Sequence, residues 1–264
     1  MNKLVLVKFG GSLITYKDRP YAVRRNIISK LAKEIKEAQK KHRRFQIVVG
    51  NGNGSYGHYP AILYNVLHGA KTKKQKRGFA FVQQKVKELN LSVVEALLEQ
   101  KVNAVSIHPS SILTASKGQP NKVFLDSFEG FINFSFMPVI YGDIVYDDKL
   151  GSKVFSTEAL FQILIEKLHR KKFIIDKVIY LSIVNGVVDL NGKLVKHVTK
   201  ENFPAVKKHL YQTEGYDVTG GMMHKVEQSL IFAERGISTY IVNGSKDNIL
   251  EQIFQGKNPG TMIS

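Results

Sequence analysis

The chain has 264 residues, with 39 Lys+Arg against 22 Asp+Glu for a formal net charge of +17, 43% hydrophobic residues, 21 Gly, 7 Pro, and neither Cys nor Trp. That length supplies one large or two modest domains with a buried core, and the apolar fraction excludes a mostly disordered chain. Without cysteine there is no disulfide scaffold, Cys-ligated zinc, iron–sulfur cluster or thiol nucleophile, and no apolar run approaches the roughly 20 residues of a membrane span.

Strand and helix signals alternate from the start. Met1 to Lys8 enters a strand at once and has no cleavage pattern, so a cytoplasmic protein is expected. Leu4 to Phe9 is a short apolar run closed by Gly10-Gly11, and Ile27, Ile28, Leu31, Ile35 and Ala38 then repeat at helical spacing. Phe45 to Val49 reads as a second strand, ending in the glycine cluster of 50–57. Val82, Val86, Leu89, Val93 and Leu97 mark a long amphipathic helix, followed by strands at Asn103 to Ile107 and Met137 to Tyr141 and a hairpin turning at Asp147-Asp148-Lys149. In the second half, Ala159 to Leu168 reads as a helix and Lys177 to Ser182 as a strand. A hairpin at Asn191-Gly192 comes next, then helices near 201–211 and 221–235, a strand at 238–243 and a last helix near 247–254. This alternation predicts an α/β fold, a three-layer αβα sandwich with a mostly parallel central sheet. No linker or repeat divides the chain, so one domain with two lobes is expected, an N-terminal lobe to about 175 and a C-terminal lobe from about 176 to 264.

Basic runs occur at Lys40 to Arg44, Lys71 to Arg77 and His169 to Lys172. The first and last fall where helices should end, and cations there complement the helix dipole. A solvated basic surface is the main reading, with phosphate ligands for some members. No zinc-finger spacing or aromatic RNA-binding motif supports nucleic acid as a partner.

Three glycine-rich segments border predicted strands or helices: Lys8-Phe9-Gly10-Gly11-Ser12, Gly50 to His58, and Asp217-Val218-Thr219-Gly220-Gly221-Met222. In open α/β sheets ligands bind at the carboxyl ends of the strands, and glycine there lets backbone N–H groups approach phosphate oxygens. Three such loops, with Lys8 and Lys225 beside them, predict a polyphosphate site. Gly52-x-Gly54-x-x-Gly57 formally matches a dinucleotide fingerprint, but the acid expected about 20 residues on is replaced by Lys71 to Arg77, which leaves only an NADP-type version. The P-loop pattern is absent.

Taken in order, Lys8 to Ser12, Gly52 to His58, Tyr141-Gly142-Asp143 and Asp217 to Met222 resemble the amino acid kinase superfamily, and among its branches the isopentenyl phosphate kinases. His58, closing the second loop, and Arg77-Gly78-Phe79-Ala80 are the more selective marks. The resemblance implies ATP-dependent phosphorylation of isopentenyl phosphate to isopentenyl diphosphate in isoprenoid biosynthesis. It implies ATP and Mg²⁺ as cofactors, with the ion riding on the nucleotide and no protein metal cage, and it implies a homodimer. The acceptor is already a phosphate, with a second pKa of about 6, so the obstacle is one anion attacking another, and cations and N–H donors answer it.

By the same match, Lys8 would touch the transferring phosphoryl group, and Gly10, Gly11 and Ser12 would hold ATP phosphates by their backbone. Lys17 would meet both phosphates. Gly54, Gly220, Gly221 and Lys225 would serve the nucleotide, while Gly52, Asn53, Gly57 and His58 would serve the acceptor, His58 by a hydrogen bond. Asp143 would orient lysines. Phe79, Phe81, Ile140 and Ile144 are candidates for an apolar acceptor pocket. Two departures concern the nucleotide: Ile183 and Asn185 replace the acids of the family's Thr-Asp-Val-Asp-Gly, and Ser156-Thr157-Glu158 stands where Ser-Gly-Asp is usual. A fosfomycin-type phosphonate kinase and a nucleotide-binding regulatory protein on the same fold are the alternatives.

Overall fold

The computed structural model describes residues 3–168, 173–213 and 221–264. In chain order the elements are β1 (Lys3–Phe9), α1 (Gly11–Ile14), α2 (Arg25–Lys41), β2 (Phe45–Asn51), α3 (Gly54–Leu63), α4 (Lys73–Glu99), β3 (Ala104–Ile107), α5 (Pro109–Ile112), β4 (Leu113–Ser116), β5 (Gln119–Val123), α6 (Asp126–Asn133), β6 (Met137–Tyr141), β7 (Asp143–Val145) and β8 (Lys153–Phe155). The second half adds α7 (Thr157–Leu168), β9 (Ile174–Ser182), β10 (His197–Val198), α8 (Phe203–Thr213), α9 (Gly221–Ala233), β11 (Ser238–Asn243), α10 (Ile249–Phe254) and β12 (Thr261–Ile263).

Eight strands form the central sheet in the order β10-β12-β11-β9-β1-β2-β6-β3. Every pairing is parallel except β11 with β12. The sheet runs unbroken past residue 175, because β9 pairs with both β1 and β11. Alternate side chains of β1 feed opposite faces, as a strand's period of two requires. Leu4 and Leu6 join the core under α6, α7, α8 and α9, whereas Val5, Val7 and Phe9 join the core under α2, α4 and α10. That is the three-layer arrangement expected from the alternating pattern.

The hairpin turning at Asp147 forms as β7 and β8, held by the Asp147 carboxylate, which accepts from Gly118, Lys149 and Leu150 N–H groups. The Asn191-Gly192 turn closes a narrower hairpin, bridged only between Val188 and Leu194. Lys40 and Lys41 occupy the last turn of α2, while Lys73 to Arg77 open α4. The run His169 to Lys172 lies outside the described residues.

Candidate active site

Because β1, β2, β6 and β9 run parallel, their carboxyl ends emerge along one edge of the sheet, where such folds place ligands. A cleft of about 1080 Å³ opens there. Its floor is made by the interlocked glycine loops. A Cβ on Gly11 would lie 2.3 Å from Gly54 N, one on Gly52 would lie 2.7 Å from Gly11 N, and Gly54 has φ +47°. Only glycine lets these three backbones touch. Thr15 locks them, since its hydroxyl donates to Gly11 O at 2.8 Å and accepts from Ser55 N at 3.2 Å.

Lys8, at the end of β1, projects into this floor. Its ammonium is hydrogen-bonded to the Glu158 carboxylate, and the two residues are only 6% and 7% exposed. The ammonium also lies 5.9 Å from the Tyr180 ring centroid. Glu158 is the second residue of α7. Burial alone would raise its pKa, but the charges of Lys8 and Lys225 and the hydrogen bond from Lys8 outweigh burial and hold it at about 2. A carboxyl held below its ordinary 4.5 stabilises the fold above that pH and loses the contribution as pH falls toward about 2. Urea midpoints measured across that window are expected to fall for the native protein and to fall less steeply for Glu158→Gln.

His58 sits in the first half of α3, facing the cleft. Desolvation by the cleft walls lowers its pKa, and the nearby charges of Lys8 and Lys17 lower it further against an opposing pull from Glu158. The ring is therefore neutral near pH 7 and presents one N–H. Lys17 lines the same cleft and, among the described residues, pairs with no carboxylate. Gly221, which opens α9, also lines the cleft, and Lys225 Nζ donates to Gly221 O at 2.9 Å. Ile183, Val184, Val188 and Met222 add apolar side chains to the lining. Ile183 and Val184 are 44% and 42% exposed, and Asn185 accepts from Asn243 Nδ2 at 3.2 Å.

The structure thus gathers Lys8, Gly11, Ser12, Lys17, Gly52, Asn53, Gly54, His58, Gly221 and Lys225 around one cleft. Gly220 lies outside the described residues, as do Asp217 to Thr219. Three expected residues do not line the cleft. The Gly10 N–H donates to Leu181 O at 2.8 Å, so that amide is not a phosphate donor. Gly57 is buried behind the loop, where a Cβ would lie 2.5 Å from Asn53 Cβ, so its glycine makes room for that side chain. Asp143 is fully buried and accepts from the Ser110 and Ile144 N–H groups at 3.1 and 2.8 Å; burial raises its carboxyl to about 6 despite those bonds. It orients backbone rather than a cleft lysine. The carboxylate that holds a cleft lysine is Glu158, a role the sequence alone did not reveal. Of the apolar candidates, Ile140 and Ile144 are core residues. Phe81 packs on Tyr21 and Tyr64, while Tyr59 is the aromatic that reaches the cleft.

The sequence profile of the amino acid kinase family matches residues 3–243. The chain belongs to the amino acid kinase family. Among these kinases, the isopentenyl phosphate kinase of Methanothermobacter thermautotrophicus is 30% identical, over 99% of each chain. That of Methanocaldococcus jannaschii is 28% identical, over 98% of each. A solved isopentenyl phosphate kinase that is 26% identical superposes with a TM-score of 0.80, over 98% of this chain and 100% of the other. Among the described residues, the cleft of this amino acid kinase combines Lys8, Lys17 and Lys225 with one compensated carboxylate, Glu158. Its net positive field suits two phosphorylated ligands meeting end to end.

Proposed function

We infer that the protein transfers the γ-phosphoryl group of ATP to isopentenyl phosphate, giving isopentenyl diphosphate. The observation that carries this reading is His58 lining one cleft with Lys8 and Lys17, in a chain related along its whole length to isopentenyl phosphate kinases. The acceptor phosphate is already an anion near neutral pH and needs no strong general base. What the cleft offers is charge neutralisation and orientation, which dominate phosphoryl transfer.

In this reading Lys8 contacts the phosphoryl group in transit. Glu158 keeps that ammonium fixed from below, so it need not reorganise as charge moves. Lys17, on the loop after α1, follows the bridging oxygens. The Gly52 N–H is taken by Phe9 O at 2.8 Å. The amides of Gly11 and Ser12 at the opening of α1, and of Asn53 and Gly54 at the opening of α3, lack an intrahelical partner there and face the phosphates. His58 donates to the acceptor phosphate. Gly221 and Lys225 approach the nucleotide phosphates, and Ile183, Val184 and Val188 lie against its apolar parts. In this reading Mg²⁺ would arrive with the nucleotide and would not need a dedicated set of protein ligands. When bound, the ion supplies further neutralisation of the phosphate charge. Leu91 and Leu98, seven residues apart on α4, are 55% and 52% exposed. A homodimer and a cytoplasmic location belong to the same reading, and in such a dimer these two leucines would be covered.

The test is ATP consumption by the purified protein with isopentenyl phosphate, dimethylallyl phosphate, fosfomycin or no acceptor. Isopentenyl diphosphate should form. Turnover with fosfomycin alone would make the protein a phosphonate kinase, and ATP binding without turnover would make it regulatory. For His58→Ala, loss of one hydrogen bond to a charged group should raise the acceptor KM roughly tenfold to a hundredfold and leave the ATP KM nearly unchanged. His58→Gln should recover part of that loss.

A further inference from the structure

Phosphoryl transfer makes no use of an amphiphilic patch at the end of α3 and the start of α4. Residues 38–87 contain no Asp or Glu. Within this stretch Ile62, Leu63 and Leu67 are 69%, 52% and 40% exposed. The chain then runs into Lys71, Lys73, Lys74, Lys76 and Arg77, all exposed. Two contacts hold the apolar and basic segments side by side. Gln75 Nε2 donates to Asn65 O at 2.9 Å, and Tyr64 packs so tightly on Gly78 that a Cβ there would lie 2.2 Å from Tyr64 Cβ. Among the described residues none of the five cations is in an ion pair. Folding does not ask for this composition. Exposed aliphatic side chains beside one another gain nothing in water, and cations in the first turn of a helix oppose its dipole.

We propose that this patch seats the protein on the surface of an anionic lipid bilayer. Ile62, Leu63 and Leu67 enter the headgroup layer, and the cations of Lys71 to Arg77 meet lipid phosphates. A bilayer surface is anionic at its face and apolar just beneath, the same two chemistries that the patch presents in adjacent segments. Single-stranded nucleic acid would call for exposed aromatic faces on which bases stack, and the exposed apolar residues here are aliphatic.

The full-length protein is mixed with vesicles of phosphatidylcholine alone or with added phosphatidylglycerol, and the pelleted fraction is measured at low and high salt. Binding is expected only with phosphatidylglycerol, and it should fall steeply as salt rises. Lys73→Glu/Lys74→Glu/Lys76→Glu should weaken it by at least about a hundredfold, at about fivefold per cation removed, while ATP-dependent turnover persists and reports an intact fold. Ile62→Ser/Leu63→Ser should weaken binding and leave its salt dependence in place. A control with the same charge change at other exposed cations, Lys40→Glu/Arg43→Glu/Lys257→Glu, should keep most of the binding. The proposal is overturned if the native protein stays in solution with anionic vesicles, if the control loses as much as the patch variant, or if single-stranded RNA is bound and vesicles are not.

Discussion

Lys8→Met is expected to lower kcat/KM by about a hundredfold to a thousandfold, the scale on which one preorganised transition-state donor is lost. The loss should fall on kcat, because Lys8 is directed at charge that develops during transfer and not at either ground-state phosphate alone. The same substitution leaves the Glu158 carboxylate buried without its partner. Removing one member of a buried pair costs about 3–5 kcal/mol, so the urea midpoint should drop as well. Lys8→Met/Glu158→Gln separates the two effects: the midpoint should recover most of the way while turnover stays lost. If the double variant regained turnover, Lys8 would be a structural lysine and the mechanism would have to be rebuilt around Lys17.

The second large effect is expected for Gly54→Ala. Its backbone has φ +47°, and the new Cβ would sit 2.0 Å from Thr15 Oγ1 and 2.7 Å from Gly11 O. A left-handed conformation costs an alanine about 1–2 kcal/mol. Pushing Thr15 aside also breaks its bonds to Gly11 O and Ser55 N, at about 1 kcal/mol each. The sum is about 3–4 kcal/mol in the unfolding free energy. Turnover should fall further than stability at saturating substrate, because the displaced backbone is the floor on which both phosphates rest. Thr15→Ala/Gly54→Ala removes the 2.0 Å approach to Oγ1 but keeps the dihedral penalty, the 2.7 Å approach to Gly11 O and the loss of both Thr15 hydrogen bonds. It should therefore recover little of the unfolding free energy, and a full recovery would show that the positive φ carries no cost here.

How much of this was legible beforehand depends on distance along the chain. The β–α alternation, the long helix through Val82 and Leu97 and the glycine loops are local patterns, and each formed where its period predicts. The helix α3 was not legible. Its sequence, Gly54-Ser55-Tyr56-Gly57-His58-Tyr59-Pro60, puts two glycines and an interior proline where propensity opposes a helix. Packing against α4 and the fit of Gly57 against Asn53 decide otherwise. The hairpin β4–β5 was equally hidden, since β5 is exposed along most of its length and shows no alternation. Lys8 and Lys225 were legible because they stand beside glycine motifs, whereas Lys17 came only from the family resemblance. Glu158 was not legible, because its partner Lys8 is 150 residues away in sequence, and nothing in Ser156-Thr157-Glu158 by itself indicates a buried ion pair. Ile140 and Ile144 show the reverse error: apolar residues near a loop look the same in sequence whether they line a pocket or fill the core.

The central place of β1 in the sheet sets the order in which the molecule can be made. Its partner on one side, β2, is complete by Asn51, but the partner on the other side, β9, ends only at Ser182. At about 5–20 residues per second, synthesis leaves one edge of Val5, Val7 and Phe9 open for on the order of ten seconds. During that time the strand is an apolar template for any other nascent chain. Yield in a cell will therefore depend on how that edge is shielded while β9 is still being translated.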